Sequence, residues 1–217
     1  MPRIQISGSA MRLSFHRHTV VFAGKRGVGK SSTLNSLFGF SLATDAAVEC
    51  TLTPAVRSIA SADSSRLRVV DMPGIAANLT SARRFHSFYR HWLSRADILV
   101  WITQADVRAY KKDQQFFLDY LQFLKPSSQL MVAIGKFDTL CPGITELQTP
   151  EQIAIVKSKI ADLRQQLDPY LGRRVDSVRY HPYSVFMGWN IGSLREAVAL
   201  SEQPTNRTAD LHSHEVL

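Results

Sequence analysis

Gly24-Lys25-Arg26-Gly27-Val28-Gly29-Lys30-Ser31 has the spacing GxxxxGK[ST]. Glycines so placed let backbone N–H groups turn inward and approach an anion closely. Lys30 offers a point charge to the outer phosphates of a polyphosphate, and Ser31 offers a hydroxyl to Mg²⁺. The chemistry implied is the holding of a nucleoside polyphosphate and Mg²⁺ along Gly24, Lys25, Arg26, Gly27, Val28, Gly29, Lys30, Ser31 and Ser32. An ordinary glycine-rich turn can carry the same letters, so placement decides. The β-branched and apolar run Thr19–Ala23 reads as a buried strand leading in. Lys30–Phe38 reads as a helix leading out, with Leu34, Leu37 and Phe38 on one face and its positive end toward the anion.

Asp71-Met72-Pro73-Gly74 closes a later strand. Alone it is a turn signal. Downstream of a phosphate loop, Asp71 can hold a Mg²⁺-bound water and the Gly74 N–H can meet the terminal phosphate. Between the two motifs, Glu49-Cys50-Thr51-Leu52-Thr53-Pro54 offers hydroxyls from a loop. Thr51 is favoured over Thr53 as the further metal-ligating and catalytic residue, because Pro54 already begins the next strand. The expected metal set is Ser31, Thr51 (alternatively Thr53) and, through water, Asp71.

The elements that position these residues follow from periodicity. Ala55–Ala60 and Arg66–Asp71 flank the turn-like 61–65 and predict a two-stranded hairpin. Asp97–Thr103 and Gln129–Gly135 predict two buried strands, with a helix near 111–124 between them. Thr149-Pro150-Glu151 starts a helix, with Thr as N-cap, Pro at the first helical position and an acid in the first turn; it should run to about Leu167. A last strand is expected near 178–183 and a last helix near 192–200. Alternating strands and helices predict an α/β fold in three layers, a mostly parallel six-stranded sheet with one antiparallel edge strand and helices on both faces.

With these motifs in order, the chain resembles the Era/TrmE-like bacterial P-loop GTPases, most of all the prophage-associated YfjP-like branch of 50S ribosome-binding GTPases. The resemblance covers residues 18 to about 200 and implies a G domain there. Where that family has NKxD after its fifth strand, this chain has Gly135-Lys136-Phe137-Asp138, and Ser184-Val185 replaces its SA pair. The resemblance implies that Asp138 takes the N1–H and N2–H groups of guanine, that the Lys136 stem lies over the ring, and that Ser184 and Val185 flank the base. Gly135 departs from the family Asn, which ties the base loop to the phosphate loop; the affinity and rigidity of the loop stay open. Val185 departs from Ala at a place where a backbone N–H contact can survive. The match Thr103-Gln104-Ala105-Asp106 follows the fourth strand and is rejected on order.

Ras-like GTPases orient the attacking water with Gln after the DxxG glycine. Here Ile75 stands there, and the resemblance implies a group that positions water otherwise. Gly27 stands where some relatives have a potassium-binding Asn, which gives no support to potassium activation. Lys30 and Arg26 are the candidate catalytic side chains besides Thr51, Arg26 as an internal arginine finger; the plain alternative is a solvent-exposed arginine. Residues 81–95 predict a helix whose Phe85, Phe88, Tyr89 and Trp92 stripe belongs in the core. Its other face carries Arg83, Arg84, Arg90 and His91, with Arg95 close by.

The 217 residues carry a formal charge of +8 and a pI near 9.8. That bias favours an anionic partner such as RNA, a ribosome or an acidic membrane surface, with solubility as the plain alternative. No apolar run approaches the roughly 20 residues of a transmembrane helix. Cys50 and Cys141 make no metal-ligand spacing, and a cytoplasmic location is the simplest expectation. The expected organisation is a basic extension 1–17, a G domain 18–200 and a polar tail 201–217 that frays. The leading expectation is a Mg²⁺-dependent GTPase switch with slow intrinsic turnover, binding GTP and GDP and open to a nucleotide-dependent homodimer. A GTP-dependent binding module with little or no hydrolysis is the alternative. A small-molecule kinase shares the phosphate loop, but the later motifs argue against it.

Overall fold

The computed structural model describes residues 17–44, 53–60, 66–75, 79–146 and 149–199. In chain order the elements are β1 (Arg17–Gly24), α1 (Lys30–Phe38), β2 (Ala55–Ala60), β3 (Arg66–Asp71), α2 (Leu79–Leu93) and β4 (Ile98–Gln104). They continue as α3 (Lys111–Tyr120), β5 (Gln129–Gly135), α4 (Pro150–Leu167), β6 (Arg179–Pro182) and α5 (Ile191–Ala199). The strands form one six-stranded sheet in the order β2-β3-β1-β4-β5-β6. Only β2 runs antiparallel, against β3; the other four pairings are parallel. The expected three-layer architecture is therefore the observed one.

Central strands are apolar on both faces because helices cover both. In β1, Val20 and Phe22 join Leu34, Leu37, Leu194 and Val198 in the layer of α1 and α5. Val21 and Ala23 point the other way, into a larger core with Tyr89, Leu93, Phe116, Val156 and Leu163 from α2, α3 and α4. The aromatic stripe of α2 belongs to this core as expected: Phe85 and Tyr89 are buried, while Phe88 and Trp92 are partly buried against it.

The boundaries show where local chemistry overrode periodicity. The helix expected to reach residue 124 ends at Tyr120 and tightens into a 3₁₀ turn over Leu121–Phe123. Leu124 then turns extended, and Pro126 disfavours helical backbone at Lys125 just beyond. At Thr149 the prediction understated the signal. Thr149 Oγ1 accepts from the Gln152 N–H and Gln152 Oε1 accepts from the Thr149 N–H, a reciprocal capping box before Pro150. Arg17, assigned to the extension, opens β1 instead. Residues 1–16, 200–217 and the loop with Thr51 lie outside the described residues.

One charged group is buried beneath the sheet end. Asp113 of α3 accepts from Trp101 Nε1 at 3.0 Å and pairs with Lys25 Nζ at 2.7 Å. Trp101 is itself stacked on Phe116, with ring centroids 4.1 Å apart. Replacing Asp113 by Ala removes the acceptor from a buried indole and the counter-charge from Lys25. Urea unfolding should show a loss of about 3 kcal/mol for Asp113→Ala. Asp113→Asn, which can still accept from Trp101, should lose clearly less; equal losses would remove the role given to the indole bond.

Candidate functional site

At the end of β1 the chain must pass very close to β4. A methyl group on Gly24 would come within 2.4 Å of the Ile102 carbonyl oxygen, so only glycine fits. The loop then turns through Gly27 and Gly29, both left-handed with φ of 78° and 94°. Gly29 caps α1 without a side-chain hydrogen bond, and the first turn of α1 holds no acid. The positive end of the helix is thus left to an anion.

Lys30 is buried just inside this loop, its Nζ donating to the carbonyls of Gly24 at 3.3 Å and Lys25 at 3.0 Å. Burial pushes its pKa down to about 8, against a pull upward from Asp71. Asp71, at the end of β3, accepts from Ser31 Oγ at 2.9 Å through Oδ2, while its Oδ1 is buried without a partner among the described residues. Burial raises the Asp71 pKa, opposed by Lys30 and by the Ser31 hydrogen bond. A buried orphan carboxylate oxygen beside a hydroxyl is a set of hard donors that suits Mg²⁺. Ser31 and Asp71 are the expected ligands the structure brings together. Thr53 is exposed ahead of β2, and Thr51 lies outside the described residues.

The Asp71–Gly74 segment crosses directly over the phosphate loop. A Cβ on Gly74 would lie 2.8 Å from Arg26 Cα, and the Ile75 N–H donates to the Gly24 carbonyl at 3.4 Å. Tyr89 of α2 holds the segment from below, its hydroxyl donating to the Pro73 carbonyl at 2.7 Å. The Arg26 side chain is exposed. On α2, Arg90 and His91 face solvent, as does Arg95 just beyond it.

The other end of the site is built on β5 and β6. Lys136 leaves β5 in a left-handed conformation, φ 57°, and its Nζ donates to the Gly27 carbonyl at 3.5 Å. Asp138 is half-buried, and Ser184 Oγ donates to its Oδ1 at 2.5 Å. Ser184 Oγ accepts in turn from the Met187 N–H. Val185 packs against the α1/α5 core. All these segments leave the carboxyl ends of parallel strands, the edge where open α/β sheets form crevices.

Sequence reasoning located Lys30, Ser31, Asp71, Gly74, Lys136, Asp138 and Ser184, and the structure gathers them at this edge. It missed Gln104, whose Nε2 donates to the same Gly27 carbonyl at 3.0 Å. It also missed Tyr183, fully buried between the base end and α1, with its hydroxyl 2.8 Å from Thr33 Oγ1. Setting Thr103–Asp106 aside on order left the bond from Gln104 unread.

Residues 19–135 match the profile of the 50S ribosome-binding GTPase family. The chain is 32% identical to YfjP of Escherichia coli over 108 residues, which are 49% of this chain and 37% of YfjP. It is 29% identical to the tRNA modification GTPase MnmE of Ralstonia nicotianae over 153 residues, 66% of this chain and 31% of MnmE. The chain therefore spans well under half the length of these relatives. Its fold is similar to that of Era, crystallised with MgGDPNP and a segment of 16S ribosomal RNA. The TM-score is 0.63 at 17% identity, over 90% of this chain and 60% of that one.

The lowered pKa of Lys30 sets a direction for pH dependence. The free site loses the ammonium proton as pH rises through about 8, whereas bound phosphates favour the charged form. Affinity for a nucleoside diphosphate should be full below that pH and fall above it, roughly tenfold between pH 7 and pH 9. Calorimetric titration at the two pH values reads the ratio. Lys30→Arg, which has no proton to lose in this range, should flatten it; an equally steep profile in that variant would assign the effect elsewhere.

Proposed function

Since the chain belongs to the 50S ribosome-binding GTPase family, we propose that it binds GTP with Mg²⁺, hydrolyses it to GDP and phosphate, and acts as a nucleotide-dependent switch. The observation that carries this reading is the convergence of Asp138, fixed by Ser184, with Lys136 and Gln104, both bonded to the Gly27 carbonyl of the phosphate loop. That geometry joins a base-selective carboxylate to a phosphate cradle across one loop.

In this reading the backbone of Gly24 to Ser32 surrounds the phosphates, and Lys30 exchanges two carbonyl partners for phosphate oxygens. Asp138 pairs the two ring donors of guanine, and Lys136 covers the ring. A base without those donors would cover the carboxylate and leave it short of hydrogen bonds, which is a basis for discrimination. Ser31 and, through water, Asp71 would hold Mg²⁺, which would supply charge neutralisation at the outer phosphates. Thr51, or Thr53, would complete that set.

Hydrolysis rests on what replaces the missing Gln. Ile75 is apolar, partly buried against the core and bonded through its backbone to Gly24. It offers no polar group to a water. Arg26 is the exposed cation nearest the crossing of the two loops and is proposed to stabilise charge on the transferring phosphoryl group. The Ile75 observation also favours a second reading, a GTP-dependent binding module that turns over little. The exposed Arg90 and Arg95, with the exposed His91 beside them, lie on or beside the helix that holds Pro73, and the chain carries +8. They support an anionic partner such as RNA or a ribosome that senses the nucleotide state, with a homodimer as another source of activation.

Titration with fluorescent GDP, GTP and ATP, with phosphate release followed in parallel, tests the proposal. Guanine-selective binding with release is expected; selective binding without release supports the module, and ATP preference overturns the assignment of Asp138. Asp138→Asn replaces one acceptor by a donor and should cut GTP affinity by about tenfold or more while improving xanthosine triphosphate binding. Arg26→Ala should slow release with little change in GDP affinity; unchanged turnover would end its catalytic role.

A further inference from the structure

Gly135 stands where the resemblance places an Asn that ties the base loop to the phosphate loop. The space that a side chain would need there is already filled. A Cβ on Gly135 would meet the Tyr183 hydroxyl at 2.9 Å and its ring Cζ at 3.1 Å. Gly135 does not have a left-handed φ, so the backbone does not demand glycine; the neighbouring ring does.

Tyr183 is the residue immediately before Ser184 and is 1% exposed. Its N–H donates to the Ile134 carbonyl at 2.9 Å, and its carbonyl accepts from the Phe137 N–H at 3.1 Å. These two bonds bracket Gly135 and Lys136, so the Tyr183 backbone fixes the base loop on both sides. Its side chain then runs beneath Gly135 to α1. There the hydroxyl lies 2.8 Å from Thr33 Oγ1, and Thr33 Oγ1 donates to the Gly29 carbonyl at 2.8 Å. Because the Thr33 proton is committed to Gly29, Tyr183 is the donor in the first bond. The chain of hydrogen bonds is Tyr183 to Thr33 to Gly29, from the base end to the last glycine of the phosphate loop.

We infer that Tyr183 is a positioning residue for guanine-nucleotide binding, holding the base loop in register with the phosphate loop by reaching through the gap that Gly135 leaves. This rests on the guanine-nucleotide reading proposed above. Tyr183 touches no nucleotide in this scheme. It acts by keeping Asp138 and Gly29 at a fixed separation, so that base and phosphates are met together. The inference also makes Gly135 and Tyr183 a matched pair: the glycine is necessary while the tyrosine is present. The buried hydroxyl is held neutral by desolvation, which keeps it a donor at all ordinary pH.

Two sets of measurements test this. In the first, GDP dissociation and competition by inorganic pyrophosphate with Mg²⁺ are compared for the wild type and Tyr183→Phe. The substitution keeps the buried ring and leaves the Thr33–Gly29 bond in place. GDP should leave roughly three- to tenfold faster, the size of one lost hydrogen bond. Pyrophosphate, which needs only the phosphate loop, should compete as before. Unchanged GDP release, or equal weakening of both ligands, overturns the inference; equal weakening assigns Tyr183 to general stability. If the wild type itself shows no guanine preference, the parent reading fails and takes this one with it. In the second, Gly135→Asn should lower the thermal midpoint and GDP affinity in the wild-type background. The same change combined with Tyr183→Ala should recover both relative to Tyr183→Ala alone. An Asn tolerated equally in the two backgrounds would break the pairing.

Discussion

A lysine ammonium withheld from water, with only two backbone carbonyls to hold it, is the interaction around which the site is organised. Lys30 is buried beside Asp71, and both groups are pushed toward neutrality by desolvation while each pulls the other back toward charge. Lys30 donates to two carbonyls, while Asp71 keeps one buried oxygen without a partner among the described residues. A folded domain tolerates such a pair where a ligand of the right charge completes it. The loop that holds Lys30 must therefore come close to β4, turn twice in the left-handed region and leave the positive end of α1 open. Those requirements fix three glycines.

Two segments that touch this centre are tied to the helices behind them by polar bonds from buried side chains. Tyr89 belongs to the aromatic stripe of α2, yet its hydroxyl holds the Pro73 carbonyl. Lys25 leaves the phosphate loop and ends on Asp113, which also anchors Trp101 of β4. A shift in the phosphate loop is thus felt at α3, and a shift in the Asp71–Gly74 segment at α2. Packed cores respond to such shifts in discrete steps. The exposed Arg90 and His91 stand on the same helix as Tyr89, which holds that segment.

Much of this was legible because it is local. Lys30 to Ser31, Asp71 to Gly74 and Lys136 to Asp138 are short words whose meaning depends on the strand before them, and the strands themselves are apolar runs that admit few other readings. The capping box at Thr149 is local too, and only its Gln152 half went unread. What stayed hidden depends on distance along the chain. Thr33 and Tyr183 are 150 residues apart, and Lys25 and Asp113 are 88 apart. In sequence, Asp113 looks like a first-turn acid of an exposed helix and Tyr183 like the last apolar residue of a strand. Their polar atoms acquire partners only when the sheet order sets β1 beside β4 and places β6 two strands further out, beyond β5.

The Gly135 departure shows how a motif can lose a residue without losing its geometry. Read one letter at a time, glycine for asparagine removes a side chain and loosens a loop. Read in space, the missing side chain and the tyrosine beneath it occupy one volume, and a hydroxyl reaches α1 from the next strand. A hydrogen-bond donor need not descend from the loop it steadies; it must only arrive at the acceptor with its own backbone fixed. Tyr183 meets that condition, since its N–H and carbonyl are both engaged with the segment it supports. The cost is that position 135 can no longer carry any side chain. The two positions are therefore constrained together, and neither has a meaning that can be read without the other.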